Sequence, residues 1–189
     1  MLLCLCFYLA LSFDAGAMGQ AEASPDARTE KNLTVDGTNC QVHETRPIDP
    51  SYISHKLNMA AMRYEIAVLL NTGLAVWVNG PFCAGLYTNY TIFMESLVGY
   101  VDDDEQVEAD NGYKGIAQVR IPSDSYDADD YEAKKRARSR HETFNSCLKR
   151  FCCLSSPFCG KYNDHSMHFY AVLAVVQTSI MDGHPLFDF

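Results

Sequence analysis

Apolar and polar residues alternate along several short stretches of this chain, and one long stretch repeats them at three- and four-residue steps. Met62, Tyr64, Ile66, Val68 and Leu70 alternate with Arg63, Glu65, Ala67 and Leu69, a period of two that predicts a β-strand. Asn71-Thr72-Gly73 supplies a turn and residues 74–78 the return strand, so a β-hairpin is expected, ended by Asn79-Gly80-Pro81, with Trp77 in the core. Upstream, Leu33 and Val35 alternate with Thr34 and Asp36 before Gly37, as in a short central strand ending on a carboxylate. An Asx turn at Asp36-Gly37 suits the same residues. Downstream, Val107 and Ala109 alternate with Glu108 and Asp110 before Asn111-Gly112, and residues 119–122 make a further strand. Ile92, Phe93 and Leu97 share one face of a short helix over residues 90–98.

The long stretch is residues 128–151, free of proline and glycine, with Asp129, Asp130 and Glu132 first and Lys149 and Arg150 last, the charge order that suits a helix dipole. Ala137, His141, Phe144, Leu148 and Phe151 form the stripe expected to pack on the sheet. Arg138, Glu142, Asn145 and Lys149 fall on a flank of that stripe, with Lys135 nearby. Such a flank suits a phosphodiester site, the acid toward metal and the cations toward the backbone. It also suits a plain exposed helix face with an Arg138–Glu142 ion pair. Residues 151–161 read as a turn-rich connector, and residues 164–181 as a buried helix that Asp164 can cap and Gly183 with Pro185 ends.

The length of 189 residues, with 48% apolar content, allows one domain with a real core. A net charge of -9 excludes a generally basic nucleic-acid binder but not a local basic patch. Cys4, Cys6, Cys40, Cys83, Cys147, Cys152, Cys153 and Cys159 have no regular spacing and read as reduced thiols. With His165 and His168 they include no metal-binding pair at zinc spacing. Residues 2–13 form an apolar run that resembles a signal-peptide core but lacks a positive leading segment and is too short to span a bilayer. Residues 1–31 are therefore taken as an apolar leader and linker, and residues 32–187 as the domain. Asn32-Leu33-Thr34 and Asn89-Tyr90-Thr91 are formal glycosylation sequons. The acids at 102–105 read as a solvated turn, and residues 134–140 as a basic run of the nuclear-import kind.

Candidate chemistry lies in three carboxylates. Asp36 and Asp110 end strands, and Glu142 sits on the long helix. Acids from two strand ends and a helix can hold two divalent cations, because hard cations want charged oxygens and phosphates complete their coordination.

Taken together, VDGT at Asp36, RYEIAVLLNTGLAVWVNGPF, EADNGYKG at Asp110, RARSRHETFNSCLKRF at Glu142 and QTSIMDGHPLF resemble the DDE transposases of the PIF/Harbinger type over roughly residues 32–187. The resemblance implies an α/β, ribonuclease H-like mixed sheet flanked by helices. The first Asp would lie on the first strand, the second just after the fourth, and the Glu on a following helix. It also implies that Asp36, Asp110 and Glu142 are catalytic and bind two Mg2+ (or Mn2+), that transposon ends and target DNA are the partners, and that the protein is nuclear with no membrane role. Lys135, Arg138, Asn145 and Lys149 are the expected DNA contacts.

Two departures stand out. Asn89 occupies a place where many relatives carry an acid, and only about 30 residues precede Asp36, where such enzymes usually have a helix-turn-helix. A catalytic domain separated from its DNA reader is expected, with a separate DNA-binding protein as a partner. The rival readings are a catalytically silent, domesticated or decayed relative acting as a binding module, and a small secreted cysteine-containing protein.

Overall fold

A computed structural model describes residues 33–44, 46–102 and 105–187. These belong to one compact unit, Asn32–Phe189. The expectations for residues 1–31, for Asn32 of the first sequon and for Asp103 and Asp104 of the acidic run lie outside the described residues.

The architecture is mixed α/β: an open, mixed, six-stranded sheet flanked by helices. At its centre is β1 (Leu33–Gln41). On one side it pairs antiparallel with β3 (Met59–Leu69), Leu33 opposite Leu69 and Gln41 opposite Ala61. On the other it pairs parallel with β5 (Val107–Ala109), Val35 opposite Ala109. β6 (Val119–Arg120) extends the parallel side. β4 (Ala75–Cys83) and the short β2 (Ile53–Ser54) take the edge of β3 away from β1. Strands alternate their side chains between faces, so Leu33 and Val35 enter one core and Thr34 and Asp36 the opposite face.

The first core packs Val35, Ala67, Val107 and Ala109 against Phe93 and Leu97 and against Tyr113, Ile116 and Ile121 of the loops around β6. Phe93 belongs to α1 (Asn89–Glu95), whose cap Thr88 accepts from the Thr91 amide at 3.1 Å. The other face carries α2 (Ala128–Leu148), which packs on β1 and β5 and is capped by Asp127. Its buried stripe is Lys134, Ala137, His141, Phe144 and Leu148. A single turn, α3 (Cys152–Ser155), leads to α4 (Tyr162–Met181), which packs on β4 and α2. Phe169 of α4 stacks on Tyr64 of β3 at 3.7 Å, and the Tyr64 hydroxyl pairs with His165 Nδ1 at 2.7 Å. Among the described residues no helix is long and apolar enough to cross a membrane.

Several expected boundaries and burials differ. The second hairpin strand does not end at Asn79-Gly80-Pro81 but runs through it to Cys83. The pairing shifts register between Arg63 and Glu65, and Gly80, at φ +139, lets the strand approach so closely that a Cβ there would lie 2.8 Å from the Arg63 carbonyl. Bulges and edge positions are where a strand tolerates proline. Glu65, read as a polar-face residue, is fully buried, because both faces of β3 are covered. α2 stops at Leu148, leaving Lys149 as its cap and Arg150 and Phe151 beyond it. β6 is only two residues, since Pro122 opens a helical turn. The connector at 151–161 contains α3, and α4 starts at Tyr162 rather than at Asp164. α4 is buried on one side only, with Met167, Val175 and Met181 exposed on the other. The six described cysteines are free thiols.

Candidate active site

The parallel pairing of β1 with β5 places Val35 beside Ala109, so one residue further Asp36, within β1, and Asp110, just past the end of β5, fall side by side on the α2 face. Both acids line a cleft of about 540 Å³ between the sheet edge and α2, and Glu142 lines it from the helix. Ligands collect at this end of open α/β sheets because the strand termini diverge there and leave backbone and side chains unpacked.

Each acid is held by its own local geometry. The Asp36 carboxylate accepts from the Gly37 amide at 2.7 Å and from Asn145 Nδ2 at 3.4 Å. Asp110 accepts from the Gly112 amide at 2.7 Å, capping a helical turn over Asn111–Tyr113. β1 runs on from Asp36 to Gln41 in register with β3, so the expected strand end and the alternative Asx turn are both absent there, and the carboxylate enters the cleft from within the strand. Burial pushes Asp36 up to about 6, and the charge of Asp110 adds to the rise; the Gly37 amide, Lys56 and Arg138 pull the other way. Glu142 accepts from Arg138 Nε at 3.0 Å. Both side chains are about 60% exposed (59% and 60%), so this pair is worth no more than about 0.5 kcal/mol.

The basic residues divide. Arg138, Asn145 and Lys149 line the cleft; Lys135 does not, and pairs with Glu132 at 3.3 Å. Lys149 Nζ donates to the Asn39 carbonyl at 3.0 Å. Lys134, buried beneath the flank, pairs with Asp130 at 2.9 Å, which also engages Arg120.

Four further residues belong to the site. Lys56 lines the cleft from the loop after β2, which Asn39 holds by donating to Ser54 Oγ at 2.9 Å. No local signal in the irregular 44–58 loop marks it. Lys134 lies one turn before Arg138 and was within reach of the same helical reasoning. His141 lines the cleft floor against the Thr34 backbone, and burial lowers it to about 4, so it is neutral. Asn89 reaches Gly37 of β1 and the turn at Gly112 from α1. A Cβ on Gly37 would lie 2.3 Å from its Oδ1, and one on Gly112 would lie 3.5 Å from its Nδ2. The Asn89 amide therefore stands beside a glycine one residue after Asp36 and another two residues after Asp110.

Among the described residues no three His, Cys, Asp or Glu side chains are gathered into a ready metal cluster. Asp36 and Asp110 come together, while Glu142 is across the cleft on Arg138. The donor set still suits a hard cation. Two like-charged carboxylates share the sheet edge, and the buried Asn145 Oδ1 has no hydrogen-bond donor. An orphaned amide oxygen near two carboxylates offers a hard cation the oxygen donors it prefers. Compared with known protein families, with curated proteins and with solved structures, the chain matches none.

Proposed function

We propose that this chain is the catalytic domain of a metal-dependent DNA endonuclease and strand-transfer enzyme of the DDE type, with a ribonuclease H-like fold. One arrangement carries the reading: Asp36 from within β1 and Asp110 from just past the parallel β5 enter the same cleft that Glu142 lines from α2, among Lys56, Arg138 and Lys149. The sheet supports it. With β2 set aside, the order is β4-β3-β1-β5-β6, antiparallel on one side of β1 and parallel on the other. The first acid then lies on the first strand, the second just after the fourth principal strand, and the Glu on a following helix, as the resemblance implies.

Asp36, Asp110 and the Asn145 amide oxygen would hold a divalent cation, Mg2+ or Mn2+, and Glu142 would complete the site from the helix. Such a cation, when bound, polarises a phosphoryl oxygen and acidifies a coordinated water or 3′-hydroxyl. The chain's own residues supply binding and orientation. Arg138 and Lys56 hold the phosphodiester, Arg138 through a planar fork matched to phosphate oxygens. Lys149, anchored on the Asn39 carbonyl, fixes the mouth of the cleft beside β1. Asn89 packs against Gly37 of β1 and the turn at Gly112, beside the residues that carry the two carboxylates. DNA, as transposon ends and target, is the partner, the nucleus the compartment, and a separate protein the sequence reader.

The test is cleavage of supercoiled DNA in Mg2+ or Mn2+ by the parent chain and by Asp110→Asn. The reading requires the variant to lose about 100-fold or more in rate. Equal rates overturn it. A second reading, a binding module without chemistry, draws on the engagement of Glu142 by Arg138. It requires DNA retention with no cleavage by either chain.

A further inference from the structure

Glu142 lines the cleft, yet its carboxylate is occupied by Arg138, one helical turn earlier, and Arg138 also bears electrostatically on Asp36. The other cations of the helix flank are committed elsewhere, Lys134 to Asp130 and Lys149 to the Asn39 carbonyl. Arg138 is therefore the flank cation whose present partner is one of the three acids. Its hold is weak: both side chains are mostly solvent-exposed, and a cation placed four residues before an acid is the poorer order on a helix. A phosphodiester offers the guanidinium two oxygens in a matched plane, which a single exposed carboxylate contact does not.

We propose that Arg138 is a substrate-operated latch: it keeps Glu142 out of the cation site in the DNA-free protein, and a DNA phosphate that takes Arg138 releases Glu142 to the cation. This rests on the metal-dependent reading and adds an order of assembly. The first cation is held by Asp36, Asp110 and Asn145 without DNA, and the Glu142 contribution arrives with the phosphate. Cation and DNA affinities then become linked, because each favours the same unlatched arrangement.

The experiment measures Mn2+ affinity of the full chain by calorimetry and by Mn2+ electron paramagnetic resonance, without activity as a readout. The parent, Arg138→Gln, Glu142→Gln and the double variant form a cycle. Removing a positive charge near the site tightens Mn2+ binding by itself, and that part persists in the Glu142→Gln background. The latch predicts an additional gain of about two- to threefold for Arg138→Gln only when Glu142 is present. It also predicts that a 20-base-pair duplex of arbitrary sequence tightens Mn2+ binding more in the parent than in Arg138→Gln, by about the same two- to threefold. An additive cycle, or an equal effect of the duplex on both chains, overturns the latch while leaving the metal reading intact. Mn2+ binding that Asp110→Asn leaves unchanged overturns both.

Discussion

Asp36→Asn tests whether the cleft is built at a cost to stability. A carboxyl raised from 3.8 to about 6 is held protonated in the fold over a range where the unfolded chain has already ionised. Between those values the native state binds more protons than the unfolded state, so stability falls as pH rises through the window and levels off above about 6. At 1.36 kcal/mol per pKa unit the full loss is about 3 kcal/mol, and water reaching the cleft reduces it toward about 2. Asparagine removes the charge and keeps an oxygen for the Gly37 amide, but it gives up the long contact from Asn145, at about 0.5–1 kcal/mol. The variant is therefore expected to gain about 1–2 kcal/mol over the parent at pH 7.5 and to be about 0.5–1 kcal/mol less stable than it at pH 3.5, while cleaving no DNA. Urea denaturation at half-unit pH steps in EDTA reads the difference. A variant less stable than the parent at pH 7.5, or a difference that does not change between pH 4 and 6, would refute the burial argument. In saturating Mg2+ the parent should recover the deficit, since the cation stabilises the ionised pair.

Glu65→Gln should also stabilise with rising pH, but over a different window. Burial holds this carboxyl up at about 8, opposed by the Tyr113 hydroxyl and Trp77, so its gain grows from pH 4.5 and levels only near 8 in the same denaturation series. Gly37→Ala forces the Asn89 amide away from β1. It is expected to cost about 1–3 kcal/mol and to weaken Mn2+ binding, with Asn89→Ala in the same chain restoring stability but not binding, as thermal melts and calorimetry will show. Asn145→Ala removes the orphaned oxygen. A loss of about tenfold or more in Mn2+ affinity is expected, with the Asp36 pKa, read by NMR titration, moving by less than in Asp110→Asn.

The hairpin, the strand carrying Asp36, the strand leading into Asp110 and the long helix were legible in short-range periodicity, but the continuation of β1 past Asp36 to Gln41 was not. So were the stripe Ala137, His141, Phe144 and Leu148 and the flank carrying Arg138, Glu142 and Asn145, because a helix converts sequence spacing into facing direction with little help from its surroundings. The Arg138–Glu142 pair, one of two readings of that flank, follows from the same geometry. Residues outside regular periodicity were not legible. Lys56 enters the cleft because Asn39 and Ser54 tie down an irregular loop, and Asn89 meets Gly37 and Gly112 because α1 packs across the sheet.

By itself, then, the order of residues determined which segments become strands and helices and on which face each acid lies, since those follow from local steric and hydrophobic preferences. Only the tertiary structure decided that β1 and β4 run on past Asp36 and Pro81, that Glu65 is buried, and that Asp36 stands beside Asp110. Each of these depends on what another part of the chain places against the residue, which no local pattern carries.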